Sequence, residues 1–82
     1  MSRYAVAYAA EAAQARNAMP AALRQRFDGA MAKLADDPYA VGSTPIHGER
    51  DRRDATVAGC FIVYYVAAQA LRITTVRIQT PF

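Results

Sequence analysis

The stretch GCFIVYYVAAQALRITTVRIQTPF, residues 59–82, decides the fold. Its first half, CFIVYYVAA, is apolar at both alternating sets of positions, the pattern of a central strand covered on both sides. After a short break, LRITTVRIQ reads as a second strand whose phase slips. Leu71 and Ile73 share one parity and Val76 and Ile78 the other. A β-bulge near Thr74–Thr75 is predicted to bring all four to one side. The stretch carries almost no acid, base or nucleophile, so it reads as scaffold.

Immediately upstream, RDRRDATVAG is polar at first and strand-like by Ala55–Val57, which predicts an exposed strand. Residues 38–49, PYAVGSTPIHGE, read as a loop from their Pro, Gly, Ser and Thr content. Between Ala21 and Asp36, Leu23, Phe27, Ala30, Met31 and Leu34 recur at helical spacing, and Arg24, Gln25, Asp28 and Lys33 take other faces. Pro20 suits the start of that helix, where a missing N–H costs nothing. Pro38 ends it by disfavouring helical geometry at Asp37. The preceding AAEAAQARNAM has strong helix composition. In RYAVAY, Tyr4, Val6 and Tyr8 alternate with Arg3, Ala5 and Ala7, as in a short half-buried strand. The predicted order is βααβββ: an α+β domain over residues 1–82, with an N-terminal strand, a helical hairpin, then a three-stranded antiparallel meander.

Length and charge narrow the function classes. A chain of 82 residues buries only roughly 60% of its unfolded surface, so a stabilising partner is expected. The net charge of +3 mildly favours polyanions or an acidic protein partner. Cys60 is the only cysteine, which excludes an intrachain disulfide and a Cys-rich metal site. No cofactor and no metal are expected. The longest apolar run, Cys60 to Ala68, falls far short of the ~20 residues of a membrane span. With no signal-peptide pattern at the N-terminus, a cytoplasmic protein is expected.

The order of elements and the local wording resemble the RelE/ParE superfamily of toxins from type II toxin–antitoxin systems. The matching stretches are YAVAYAAEA, MPAALRQRFDGAMAKLADDPYAVG and PIHGERDRRDATVAGCFIVYYV. In the last, a loop glycine (Gly48) leads into a basic strand, and a second glycine (Gly59) precedes the family's aromatic–Arg–x–x–Tyr strand. The resemblance covers nearly the whole chain. It implies a cognate antitoxin as partner. It further implies either ribosome-dependent mRNA cleavage, as in RelE-like members, or non-enzymatic poisoning of DNA gyrase, as in ParE-like members. A degenerate toxin that only binds its antitoxin is the remaining alternative.

RelE-type cleavage uses the 2′-hydroxyl against the adjacent phosphate, so it requires cations at the phosphate and a group that moves protons. The resemblance places the family's strand arginine at Ile62, and Pro81 falls near an expected basic position of the tail. Weak endoribonuclease activity is therefore implied. The residues left to carry it are Arg52, Arg53 and Arg77 as the catalytic cations, with Arg50 and His47 joining them in RNA binding. Guanidinium groups on one face suit bidentate phosphate contacts. RDRRD reads equally as a charged edge strand neutralised by Asp51 and Asp54. His47 is the one side chain whose ordinary pKa lies near neutrality, but it also reads as an ordinary loop histidine. Cys60 reads as a buried structural thiol. Tyr64 and Tyr65 lie on opposite faces, so one is expected in the core and the other on a partner or a base. Phe82 reads as a core cap or a partner anchor. The Ala-rich first helix reads either as a close-packing partner of the second helix or as a shallow groove for an antitoxin segment.

Overall fold

The computed structural model describes residues 3–40 and 42–81. Among these residues the elements run β1 (Ala5–Tyr8), α1 (Ala10–Asn17), α2 (Ala21–Asp36), β2 (Ser43–Ile46), β3 (Glu49–Val57), β4 (Cys60–Ala67) and β5 (Arg72–Gln79). The class is α+β as expected, but the order is βααββββ. The strands form one sheet, β1-β5-β4-β3-β2, with β1 parallel to β5 and every other pair antiparallel. Phe82 falls outside the described residues.

The extra strand corrects the expectation of a loop over residues 38–49. Pro45 made that segment look irregular because it lacks an N–H to donate. It sits at the sheet edge, paired only with β3, where a missing donor is tolerated. The basic strand likewise begins at Glu49, earlier than its apolar residues suggested. Of its charged first half, Glu49 and Arg53 pair with β2, and residues 50–52 bulge between those two pairings.

Both inner hairpins turn on two residues with positive φ: His47 (52°) with Gly48 (77°), and Ala58 (51°) with Gly59 (80°). Ile46 pairs with Glu49 and Val57 with Cys60 across these turns. Such turns match the right-handed twist of the strands and favour Asn-Gly. A non-glycine residue in the left-handed region costs roughly 1–2 kcal/mol, and Asn tolerates it better than most. His47→Asn is therefore expected to raise stability by about 0.5–1 kcal/mol, which is a shift of a few degrees in Tm for a chain of this size. Thermal denaturation checks it. A lower midpoint would show that the turn holds no strain.

One core joins the helices to the sheet. It contains Leu23, Phe27, Met31 and Ala35 from α2, and Ala55, Val57, Cys60, Ile62, Tyr64, Val66 and Ile73 from the strands. The helical spacing read in the sequence thus marks the buried stripe of α2. α1 lies chiefly against β5 and β1 rather than along α2. Arg16 ties the two helices by a bidentate pair to Asp28, at 2.8 and 2.6 Å.

β4 is an interior strand, as expected, but only one of its faces is covered. Cys60, Ile62, Tyr64 and Val66 are buried, whereas Phe61 and Tyr65 are 40% and 42% exposed. The burial pattern places the helical layer on the face that these four residues share. The apolar second set of β4 side chains therefore lies on an open face. The predicted bulge exists, shifted towards the C-terminus: Tyr64 pairs with Thr75 and Val63 with Arg77, leaving Val76 as the extra residue. It puts Ile73 and Ile78 on the core side. Leu71 stays at the exposed turn (48%).

Candidate nucleic-acid interface

The open face is built from alternate residues of the central strands. Across it, Arg52 lies opposite Tyr65, Asp54 opposite Val63, and Thr56 opposite Phe61. On the other side of β4, Phe61 meets Gln79, Val63 meets Arg77, Tyr65 meets Thr74, and Ala67 meets Arg72. The result is an apolar and aromatic stripe, Phe61–Val63–Tyr65, flanked by three arginines. Directly opposed cross-strand side chains lie about 4.5–5.5 Å apart at Cβ and diagonal ones about 7–8 Å. Tyr65 is therefore ringed by Arg52 on one side and by Arg72 and Arg77 on the other.

These arginines are available to a ligand. Arg52 reaches Glu49 only at 3.7 Å, and its buried Nε has no hydrogen-bond partner. Its guanidinium carbon sits 5.7 Å from the Tyr65 ring centroid, within cation–π range. Arg77 is exposed. A guanidinium presents five donors in a planar fork suited to phosphate, and exposed rings suit stacking on bases.

Arg53, expected beside Arg52 and Arg77, is on the opposite face and only 7% exposed. Its Nε donates to Ser43 Oγ at 2.9 Å, and its terminal nitrogens donate to the carbonyls of Arg50 and Ser43 at 3.0 and 3.2 Å. It clamps β2 onto β3. Successive strand residues point to opposite faces, so Arg52 and Arg53 do not converge. Arg50 also turns away, stacking over the Tyr39 ring at 4.2 Å, with Arg53 over the same ring at 5.4 Å. Tyr39 donates to Asp51 Oδ1 at 2.6 Å. Burial, reinforced by that bond, pushes its hydroxyl up to about 12.

His47 sits at the exposed β2–β3 hairpin tip, away from the arginine ring by register. Tyr64 is the core member of its pair, fully buried, and its hydroxyl donates to the Pro38 carbonyl at 2.6 Å. Tyr65 is the open one. Cys60 is fully buried, and burial pushes its thiol pKa up. That environment makes it a poor nucleophile.

Ile62 requires a correction. It is fully buried in the core, so it is not the open-face position that an arginine would occupy. Counting back from Tyr64 in aromatic–Arg–x–x–Tyr puts the arginine position at Phe61, which does lie on that face, and leaves Cys60 at the aromatic position. The sequence reading also missed Arg72. Arg72 and Arg77 have opposite parity and belong to opposite faces of a regular strand. The bulge that aligns Ile73 with Ile78 on the core side aligns these two arginines on the other, so the signal was present in the phase slip.

Among the described residues no group of three or more His, Cys, Asp and Glu side chains gathers to hold a metal ion. No helix among them is long and apolar enough to cross a membrane.

No protein-family model matches the sequence, and no curated protein matches it. Solved structures do. The isolated RelE toxin of E. coli superposes with a TM-score of 0.78 at 12% identity, covering 96% of this chain and 85% of that one. A chain of the RelBE2 toxin–antitoxin complex of Mycobacterium tuberculosis gives 0.77 at 15% identity, covering 95% and 98%. A chain of the archaeal RelE–RelB complex from Pyrococcus horikoshii OT3 gives 0.73 at 18% identity, covering 96% of each chain. The fold of this chain is RelE-like.

Proposed function

We propose that this chain is the toxin half of a toxin–antitoxin pair and that it inhibits translation by engaging mRNA at the ribosome with its open sheet face. The observation that carries this reading is the ring of Arg52, Arg72 and Arg77 around an exposed aromatic stripe on a RelE-like fold. The Mycobacterium tuberculosis structure is a toxin–antitoxin complex and the Pyrococcus horikoshii one a RelE–RelB complex, which supports a cognate antitoxin as the partner.

Cleavage by a 2′-hydroxyl builds charge on the attacked phosphate, and preorganised donors lower that barrier. Arg52 and Arg77 are the cations in this role, with Arg72 beside them. Proton transfer is the weaker part. His47 is at the hairpin tip, and Phe61 stands where the resemblance implies an arginine. Cleavage is therefore slow, and occupancy of the mRNA contributes much of the inhibition. Phe61 also favours a second reading, a non-enzymatic ParE-like poison of DNA gyrase, because it makes the face more apolar.

The test is induced expression with growth curves, primer extension on a reporter mRNA and a gyrase supercoiling assay. Slowed growth with weak, ribosome-dependent stops on the mRNA, relieved by co-expressing a co-purifying antitoxin from the neighbouring gene, is expected. Normal primer-extension patterns with blocked supercoiling would replace this reading with the second.

A further inference from the structure

We infer that Phe61 and Tyr65 form a stacking platform for two non-adjacent bases of an unstacked RNA single strand, with Arg52, Arg72 and Arg77 holding its phosphates. The inference rests on reading the open face as the RNA face, and it adds which form of RNA that face takes.

Strand alternation divides the aromatic residues of β4 between the two faces. Tyr64 is buried and its hydroxyl is satisfied by Pro38. Phe61 and Tyr65 stay 40% and 42% exposed on the other face. Large rings left in water on a sheet flanked by guanidinium groups match what single-strand binders present: a cationic path for the backbone and π-faces for the bases. The charge of the face points the same way. Arg52, Arg72 and Arg77 stand against Asp54 and the Glu49 carboxylate, which lies 3.7 Å from Arg52.

Spacing selects the form of the ligand. The two rings lie four residues apart on one strand, or about 13 Å at ~3.3 Å per residue. Consecutive bases in a stacked strand are only about 3.4 Å apart. Neighbouring stacked bases therefore cannot occupy both rings. A strand splayed across the sheet does so, with the intervening nucleotide over Val63. A duplex hides its base faces and is excluded from the platform. Stacking is tolerant of base identity, so discrimination is by strandedness rather than by sequence. An acidic peptide would use the arginines and leave the rings idle, which makes the rings the diagnostic element.

The test is fluorescence anisotropy of the full chain with a labelled twelve-nucleotide oligouridine and with an RNA duplex of about the same length, at one salt concentration. The single strand is expected to bind at least about tenfold more tightly. Phe61→Leu and Tyr65→Leu are each expected to weaken it roughly tenfold, while Phe61→Tyr binds like the wild type. Both positions are exposed, and unchanged thermal melts would show that the variants fold. Equal affinity for the duplex would overturn the platform, as would leucine variants that bind normally while Arg52→Ala does not. Binding of a polyglutamate peptide as tightly as the single strand, unaffected by Phe61→Leu, overturns it in favour of an acidic protein partner. Absence of any RNA binding by the wild type is a separate pattern, and it brings down the functional reading along with the platform.

Discussion

Phe61→Arg and Ile62→Arg place the same charge on adjacent residues, and their outcomes are expected to diverge completely. Ile62 is fully buried, inside the core formed by α2 and the sheet. An arginine there leaves an unpaired charge where water cannot reach it, a cost of several kcal/mol, and it also overfills a packed site. At roughly 0.05–0.15 kcal/mol per residue, a chain of this length has about 4–12 kcal/mol of stability in total. Ile62→Arg is therefore expected to abolish folding or lower the melting temperature by tens of degrees. Phe61 is 40% exposed, so an arginine keeps its head in water and its stem on the sheet. Phe61→Arg is expected to melt within a few degrees of the wild type. It exchanges the ring for a guanidinium, which also stacks on a base and adds a cation beside the phosphate path, so mRNA cleavage upon induction should increase. Circular dichroism melts and primer extension decide both points. A folded Ile62→Arg protein with enhanced cleavage would show that the faces of β4 are assigned the wrong way round.

The arginines should separate in the same manner. Replacing Arg52 and Arg77 together by alanine removes one half-buried and one exposed guanidinium group, and the ion pair it breaks is the 3.7 Å approach of Arg52 to Glu49. Exposed pairs of that kind contribute at most about 1 kcal/mol, so the melt should barely move. RNA affinity is expected to fall by roughly a hundredfold. The slope of log affinity against log salt should decrease by about 1.4, from two lost phosphate contacts on a single strand. Arg53→Ala should do the reverse. Its guanidinium makes three hydrogen bonds to Ser43 and Arg50 in a buried setting, and their loss costs about 2–4 kcal/mol. Affinity per folded molecule should stay near that of the wild type. Parallel titrations and melts of the two variants would contradict the face assignment if Arg53→Ala lost binding without losing stability.

The legible part of the fold was the part written in periodicity. Leu23, Phe27 and Met31 announced the buried stripe of α2, and the continuous run from Cys60 announced an interior strand. What periodicity could not tell was how many layers cover a strand. Apolar residues at both parities suggested helices on both sides, yet one set in β4 stays open. Turn chemistry hid another element, because Pro45 and Gly48 read as loop residues although one suits an edge strand and the other a two-residue turn. At the site, RDRRD gave the right strand but mixed its faces. Only alternation within a known register separates Arg52 from Arg53, and only the bulge at Val76 joins Arg72 to Arg77.

The central claim is that the open sheet face meets mRNA on the ribosome. It is tested most directly by crosslinking. A ribosome programmed with mRNA carrying 4-thiouridine in its decoding site is mixed with the full chain, irradiated, and the crosslinked peptides are mapped by mass spectrometry. Crosslinks are expected on β4 and β5, centred on Phe61 and Tyr65, and they should disappear with Arg52→Ala and Arg77→Ala combined. Crosslinks confined to α1 and α2, or a pattern indifferent to that double substitution, would contradict the account.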